Sequence, residues 1–97
     1  MEFREMYQAF VVSEGRVGTM EEVGREFIAE YHSLPGSTGE RFVQMYGKLE
    51  DAFRENGSES KLLNLECFAS CNDLLRMEAL KLPSQAALRK TQEAGRK

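Results

Sequence analysis

Hydrophobic residues recur every three or four positions in four segments of this chain, and each segment is bounded by residues that start or stop helices. In the first segment, from Glu2 to about Ser13, the apolar side chains that share one face are Phe3, Met6, Tyr7, Phe10 and Val11. This spacing predicts an amphipathic helix. The two glycines of "SEGRVG" (13–18) end it, because glycine is unfavourable inside helices.

The second segment opens with a T-x-x-E pattern from Thr19 to Glu22, which predicts a capping box at a helix start. The apolar residues of this helix are Met20, Val23, Phe27, Ile28, Tyr31 and Leu34. Pro35 ends it, because the residue before a proline is disfavoured in helical geometry. Gly24 lies within the apolar face, where alanine would be favoured by about 1 kcal/mol, and we expect it to allow another helix to approach closely.

The third segment begins with a second capping box, from Ser37 to Glu40. Its predicted buried face consists of Phe42, Met45, Tyr46, Leu49, Ala52 and Phe53. Asn56 and Gly57 are predicted to end this helix, with Gly57 in the left-handed conformation that commonly follows a helix end.

The fourth helix is predicted to start at Ser58 or Ser60 and to end at Leu82, before Pro83. No segment shows the alternation typical of a strand, and the short connections favour antiparallel neighbours. The pattern therefore predicts an all-α fold, a small antiparallel bundle of four helices with a possible short fifth C-terminal helix. Residues 1–83 would form a single helical domain, followed by a basic C-terminal tail, 84–97, as a weak helix or a disordered segment.

Charge and length narrow the classes of function. The chain of 97 residues has a net charge of −3, and all of its acidic excess lies before residue 84. An acidic body disfavours nucleic acid, because Lys and Arg supply most of the affinity for phosphate. No apolar run is long enough to span a membrane, and the N-terminal segment does not resemble a signal peptide. We therefore expect an intracellular protein, cytoplasmic or nuclear, with reduced thiols.

The two cysteines, Cys67 and Cys71, are the only obvious candidates for chemistry. They are spaced C-x-x-x-C on the fourth helix, whereas a structural zinc site needs four ligands and the chain has one histidine, His32. A disulfide within one helical turn would be strained. We interpret both thiols as core residues and His32 as a partly exposed structural residue, so no catalytic residue, metal or cofactor is predicted. The alternative is a thiol-dependent enzyme or redox regulator using Cys67 and Cys71.

The fourth helix is apolar on two sides, which is its most informative feature. Its main arc comprises Leu63, Cys67, Phe68, Cys71, Leu74, Leu75 and Leu82. A second stripe lies roughly opposite and comprises Leu62, Leu65 and Ala69, with Leu80 further along, and it is interrupted by Glu66, Asp73 and Arg76. Such a helix is either central in the bundle or bridges a core and a partner.

The second alternative predicts a protein interface at Leu62, Leu65, Ala69, Arg76 and Leu80. The corresponding function is a non-enzymatic helical protein-interaction module: an adaptor, a complex subunit or a small regulator. It would bind a protein partner, or form a homo-oligomer, through the fourth helix. Large apolar patches on protein surfaces commonly mark interaction sites, which is why the sequence favours this class of function.

Overall fold

The computed structural model describes the backbone of residues 2–16 and 19–95, and the side chains of those ranges up to Lys81. Its four helices are α1 (Phe3–Val12), α2 (Met20–Ser33), α3 (Thr38–Glu55) and α4 (Lys61–Gly95). The described ranges contain no strand. The predicted all-α bundle of four helices is therefore confirmed.

Helix α4 extends further than the sequence predicted. It continues through Pro83 to Gly95, so the segment with the possible fifth helix is helical as a continuation of α4. A proline removes one amide donor from the helical ladder, and the residues on either side keep theirs. The side chain of Leu82, which the sequence placed on the main arc, lies outside the described side chains, as do those of the basic tail.

The helix starts follow the predicted capping chemistry. The Ser37 hydroxyl accepts a hydrogen bond from the Glu40 amide at 3.2 Å, and the Ser37 amide donates to the Glu40 carboxylate at 2.9 Å. These bonds from Ser37 hold the pKa of the Glu40 carboxyl below its ordinary value. At α2 the Thr19 hydroxyl accepts from the Glu22 amide at 3.4 Å, which is one half of the predicted box.

The core takes side chains from all four helices. The buried hydrophobic residues are Phe3, Tyr7, Phe10, Val11, Val23, Phe27, Tyr31, Met45, Leu49, Ala52, Cys67, Cys71 and Leu75. Several predicted core residues are only half-buried, namely Met6, Met20, Ile28, Leu34, Phe42, Tyr46, Phe53, Leu63, Phe68 and Leu74. Their partial exposure reflects the small size of the domain, which has too few layers to enclose every apolar side chain.

Helices α2 and α4 approach closely at Gly24. A Cβ atom built on Gly24 would lie 2.6 Å from Cδ1 of Leu74, so the end of the Leu74 side chain would have to shift to admit it. The expectation that another helix packs against this glycine is confirmed, and α4 is that helix. Leu74 occupies space that any larger residue at position 24 would need.

A buried polar network joins α1, α3 and α4 at one end of the bundle. The Tyr7 hydroxyl donates to Oδ1 of Asn64 at 2.6 Å and lies 3.0 Å from the Asn64 carbonyl oxygen. Nδ2 of Asn64 lies 3.0 Å from the carbonyl oxygens of Phe53 and Asn56, near the end of α3. Burial, and then the neighbouring Cys67 and Cys71, raise the pKa of Tyr7, so its hydroxyl remains a donor.

This network replaces the predicted left-handed glycine cap of α3. Gly57 has no positive φ, and the prediction of a left-handed residue there is wrong. Instead, Nδ2 of Asn56 donates to the Ala52 carbonyl at 2.8 Å, and Nδ2 of Asn64 donates to the carbonyls of Phe53 and Asn56. Because side chains donate hydrogen bonds to the last carbonyls of α3, Gly57 does not need to adopt the left-handed conformation.

Two buried tyrosines give a matched test of this network. Tyr7→Phe should lower the free energy of unfolding by about 1–2 kcal/mol, because it removes the donor to Asn64 and leaves a buried oxygen unpaired. Tyr31→Phe should leave stability unchanged or raised, because its buried hydroxyl has no partner among the described residues. Urea denaturation measures both. Equal losses in the two variants would contradict the role of Asn64.

Candidate protein-interaction surface

One face of α4 carries most of the large apolar side chains that the described structure leaves exposed. Leu62 is 69% exposed, Leu65 55%, Met77 59% and Leu80 68%. The remaining large exposed hydrophobic residues among those described are Val12 on α1 and Val43 on α3, one on each helix. We call the exposed face of α4 the outer face, defined by Leu62, Leu65, Glu66, Ala69, Asp73, Arg76, Met77 and Leu80.

The inner side of the same helix is fully buried. Cys67, Cys71 and Leu75 follow one another at intervals of four residues and have no exposed surface. Helices α1, α2 and α3 all contact α4, yet they leave its outer face open. The alternative in which α4 is central and covered on both sides is therefore wrong within the described structure, because a single layer of helices packs against it.

Each residue of the predicted interface lies on this outer face. Leu62, Leu65, Ala69, Arg76 and Leu80 are all exposed. Sequence reasoning missed Met77, although its position three residues before Leu80 places it near the same face. The exposure is what an interface requires, and the interface itself stays a prediction.

The charged residues of the outer face have no ion-pair partners within the described part of the chain. Glu66, Asp73 and Arg76 are exposed and unpaired. At the inner edge of α4, in contrast, the Glu78 carboxylate lies 3.0 Å from Nε2 of His32 and 3.7 Å from Nζ of Lys81. The outer charges are thus available to a partner.

An aromatic row borders the outer face along the seam between α3 and α4. The ring centroids of Phe53 and Phe68 are 4.9 Å apart, and those of Tyr46 and Phe68 are 6.2 Å apart. All three rings are half-buried. Because Phe68 lies three residues after Leu65 on one helix, the apolar surface continues from the outer face into this seam.

The two cysteines belong to the core. Cys67 and Cys71 are free thiols without exposed surface, as the sequence predicted. A hydrogen bond with Cys67, followed by burial, raises the pKa of Cys71 far above its ordinary value. A thiol that is protonated and shielded from solvent is a poor nucleophile and a poor metal ligand. This geometry disfavours the thiol-dependent alternative.

The other titratable groups form ordinary surface contacts. His32 is partly exposed, as predicted, and its Nε2 atom contacts the Glu78 carboxylate, which links α2 to α4. The surface depression of about 500 Å³ near α1 and α2 is lined largely by carboxylates: Glu2, Glu5, Glu26 and Glu30. Among the described residues, no group of three or more His, Cys, Asp or Glu side chains is placed to hold a metal ion.

Two further findings concern membrane spans and similarity to known proteins. None of the helices, over the residues that the structure describes, has the length and hydropathy needed to cross a lipid bilayer. Comparison with known proteins gives no match, whether to a family model, to a curated protein or to a solved structure. The candidate surface is therefore argued from the geometry of α4.

Proposed function

We propose that this chain is a non-enzymatic helical protein-interaction module that binds its partner through the outer face of α4. The observation that carries the proposal is the concentration of Leu62, Leu65, Met77 and Leu80, all more than half exposed, on one face of one helix. Burying apolar surface stabilises a complex by roughly 25 cal/mol per Å², so two exposed apolar pairs on one face, Leu62 with Leu65 and Met77 with Leu80, favour binding more than scattered residues do. An adaptor, a complex subunit and a small regulator would all use such a surface.

The shape of the surface favours a helix as the bound element. Leu62 and Leu80 are 18 positions apart, a span of about 27 Å along the helix axis. Between them the outer face runs along the helix axis, with two apolar pairs separated by Ala69 and three charged residues, and this elongated shape suits the side of another helix. The unpaired Glu66, Asp73 and Arg76 would select partners by charge. We propose that this module works in a reducing compartment, cytoplasmic or nuclear, where its two buried cysteines stay reduced.

Two aspartate variants at exposed positions test this function. Leu65→Asp should abolish the binding of a protein partner or of a second copy, because it places a carboxylate in one of the two exposed apolar pairs of the outer face. Val43→Asp is the matched control, since Val43 is 71% exposed but lies on α3. Proteins that co-purify with the tagged wild-type chain should be retained by Val43→Asp and lost by Leu65→Asp.

The wild-type chain and both variants should show the same helical circular dichroism, so that a loss of binding is not a loss of fold. If Leu65→Asp and Val43→Asp retain the same proteins and the same association state, the outer face of α4 is not the interaction surface. The proposal then fails.

A further inference from the structure

The end of α3 carries the only Asn-Gly pair of the sequence, Asn56–Gly57. Asparagine is a thermolabile residue, and a glycine after it leaves no side chain to hinder attack by the next backbone nitrogen. The other two asparagines, Asn64 and Asn72, are followed by residues that have side chains. The most labile asparagine of this chain therefore lies at the junction between α3 and α4.

The reaction available to this pair is deamidation, and its only other reactant is water. The backbone nitrogen of Gly57 attacks Cγ of Asn56, and the new C–N bond closes a succinimide ring. The bond from Cγ to Nδ2 breaks, and the amino group leaves as ammonia with the proton that the Gly57 nitrogen gives up. Water then opens the ring at either carbonyl and leaves aspartate or isoaspartate, with no oxidation or reduction.

The folded structure holds the peptide unit between Asn56 and Gly57 away from this reaction. The ψ angle of Asn56 is 17°, which turns the Gly57 nitrogen away from the Asn56 side chain, so ring closure requires the unit to rotate. Hydrogen bonds oppose that rotation. The Gly57 amide donates to the Arg54 carbonyl at 3.2 Å. The Asn56 carbonyl accepts from the Glu59 amide at 3.1 Å and from Nδ2 of Asn64 at 3.0 Å.

The side chain of Asn56 is held as firmly as its peptide unit. It is 2% exposed, and its Nδ2 donates to the Ala52 carbonyl at 2.8 Å. Its Oδ1 has no hydrogen-bond partner among the described residues. Attack at Cγ develops negative charge on this oxygen, and no described donor is placed to stabilise it. The folded state thus opposes both the approach of the nitrogen and the charge of the transition state.

We infer that Asn56–Gly57 is a latent deamidation site that the packing of α1 on α4 keeps closed. The Tyr7 hydroxyl of α1 donates to Oδ1 of Asn64, and this bond orients the Asn64 amide so that its Nδ2 faces the Asn56 carbonyl. When a local opening separates α1 from α4, Asn64 loses that orientation and the peptide unit is released to rotate. The inference does not rest on the outer face of α4.

Deamidation at this site makes the opening irreversible. An aspartate in place of Asn56 has an oxygen where Nδ2 donated to the Ala52 carbonyl, so two acceptors face each other at a buried position. A buried carboxylate without a partner is unfavourable. Isoaspartate also carries a carboxylate and adds its Cβ atom to the main chain. The product cannot re-form the cap of α3, so a modified chain records that the molecule has opened.

Mass spectrometry of the peptide that contains Asn56 tests the site. In urea and mildly alkaline buffer, Asn56 should deamidate faster than Asn64 and Asn72, and Gly57→Ala should slow it, because a methyl group hinders the attack. In the folded wild-type chain, Asn56 should react at least about tenfold more slowly than in urea, because the rate follows the fraction of molecules that are open.

Tyrosine variants test the control by α1. In the folded protein, Tyr7→Phe should speed deamidation of Asn56 about 5–30-fold, because it removes the donor that orients Asn64. Tyr31→Phe should leave the rate unchanged, because its hydroxyl has no partner among the described residues. Val23→Ala creates a cavity on α2, which takes no part in the network, and should speed the reaction less than Tyr7→Phe at equal loss of unfolding free energy.

An aspartate variant tests the consequence. Asn56→Asp, which reproduces the product, should have a lower urea midpoint than wild type or no folded baseline. Asn72→Asp is the control, since Asn72 is only half-buried, and it should change the midpoint little.

Each of four results overturns the inference: equal rates at Asn56 in folded and unfolded chains, equal rates at the three asparagines in urea, an unchanged rate in Tyr7→Phe, or an Asn56→Asp variant as stable as wild type. If Tyr7→Phe and Val23→Ala speed the reaction only in proportion to their loss of stability, control by α1 is wrong.

Discussion

Leu75→Asp is expected to unfold the domain. Leu75 is fully buried on the inner side of α4, in line with Cys67 and Cys71. An unpaired carboxylate at such a position is unfavourable by several kcal/mol, and a domain of this size has only about 5–15 kcal/mol of stability in total. Circular dichroism and a thermal melt should show loss of helicity or of a cooperative transition at room temperature.

The matched control is Leu65→Asp, ten positions away on the outer face of α4. Its exposed side chain should accept a carboxylate with little change in melting temperature. Leu74, which the sequence placed beside Leu75 on the main arc, is only half-buried against Gly24, so an aspartate there should have an intermediate effect. If Leu65→Asp unfolds the chain as severely as Leu75→Asp, the outer face is covered and the proposed interface is wrong.

Phe27→Ala has the second largest expected effect, a loss of about 3–5 kcal/mol of unfolding free energy. Phe27 is fully buried and its ring packs on that of Phe3, with centroids 4.7 Å apart. Truncation removes both the buried area and an edge-to-face contact between α1 and α2. Chemical denaturation should show a midpoint far below that of wild type, or no folded baseline at all.

Phe53→Ala is the matched aromatic truncation. The sequence placed both residues in the core, but Phe53 is only half-buried at the seam with Phe68. We expect it to lose about half as much stability as Phe27→Ala, in proportion to the apolar area that it buries. Equal losses of unfolding free energy in the two variants would show that Phe53 is as deeply buried as Phe27.

The sequence was sufficient to predict the four helices, because the residues that start and stop a helix act locally. The capping residues Thr19 and Ser37 and the stop at Pro35 act within a few positions of the helix ends they define. The sequence predicted a helix end before Pro83, because proline locally disfavours a helix. The helix nevertheless continues to Gly95, so the local penalty of one proline does not decide where this long helix ends.

The buried network around Asn64 was beyond sequence reasoning. Its partner Tyr7 is 57 positions away, and both residues have ordinary roles in the local pattern. Asn64 is polar within an otherwise apolar inner side, a signal that indicates a buried hydrogen bond only once its neighbours are known. For the same reason, the alternative cap of α3 at Asn56 could not be predicted from Gly57.

By itself, the sequence determined that this protein is a bundle of four helices and that α4 is apolar on two sides. The helical repeat fixes which residues share a side of α4, because each residue advances by a constant angle. It does not fix which side meets α1, α2 and α3, because that depends on contacts between residues far apart in the chain. Only the tertiary structure decided that Cys67, Cys71 and Leu75 are buried and that Leu62, Leu65 and Leu80 are exposed, because three helices can cover only one side of the fourth.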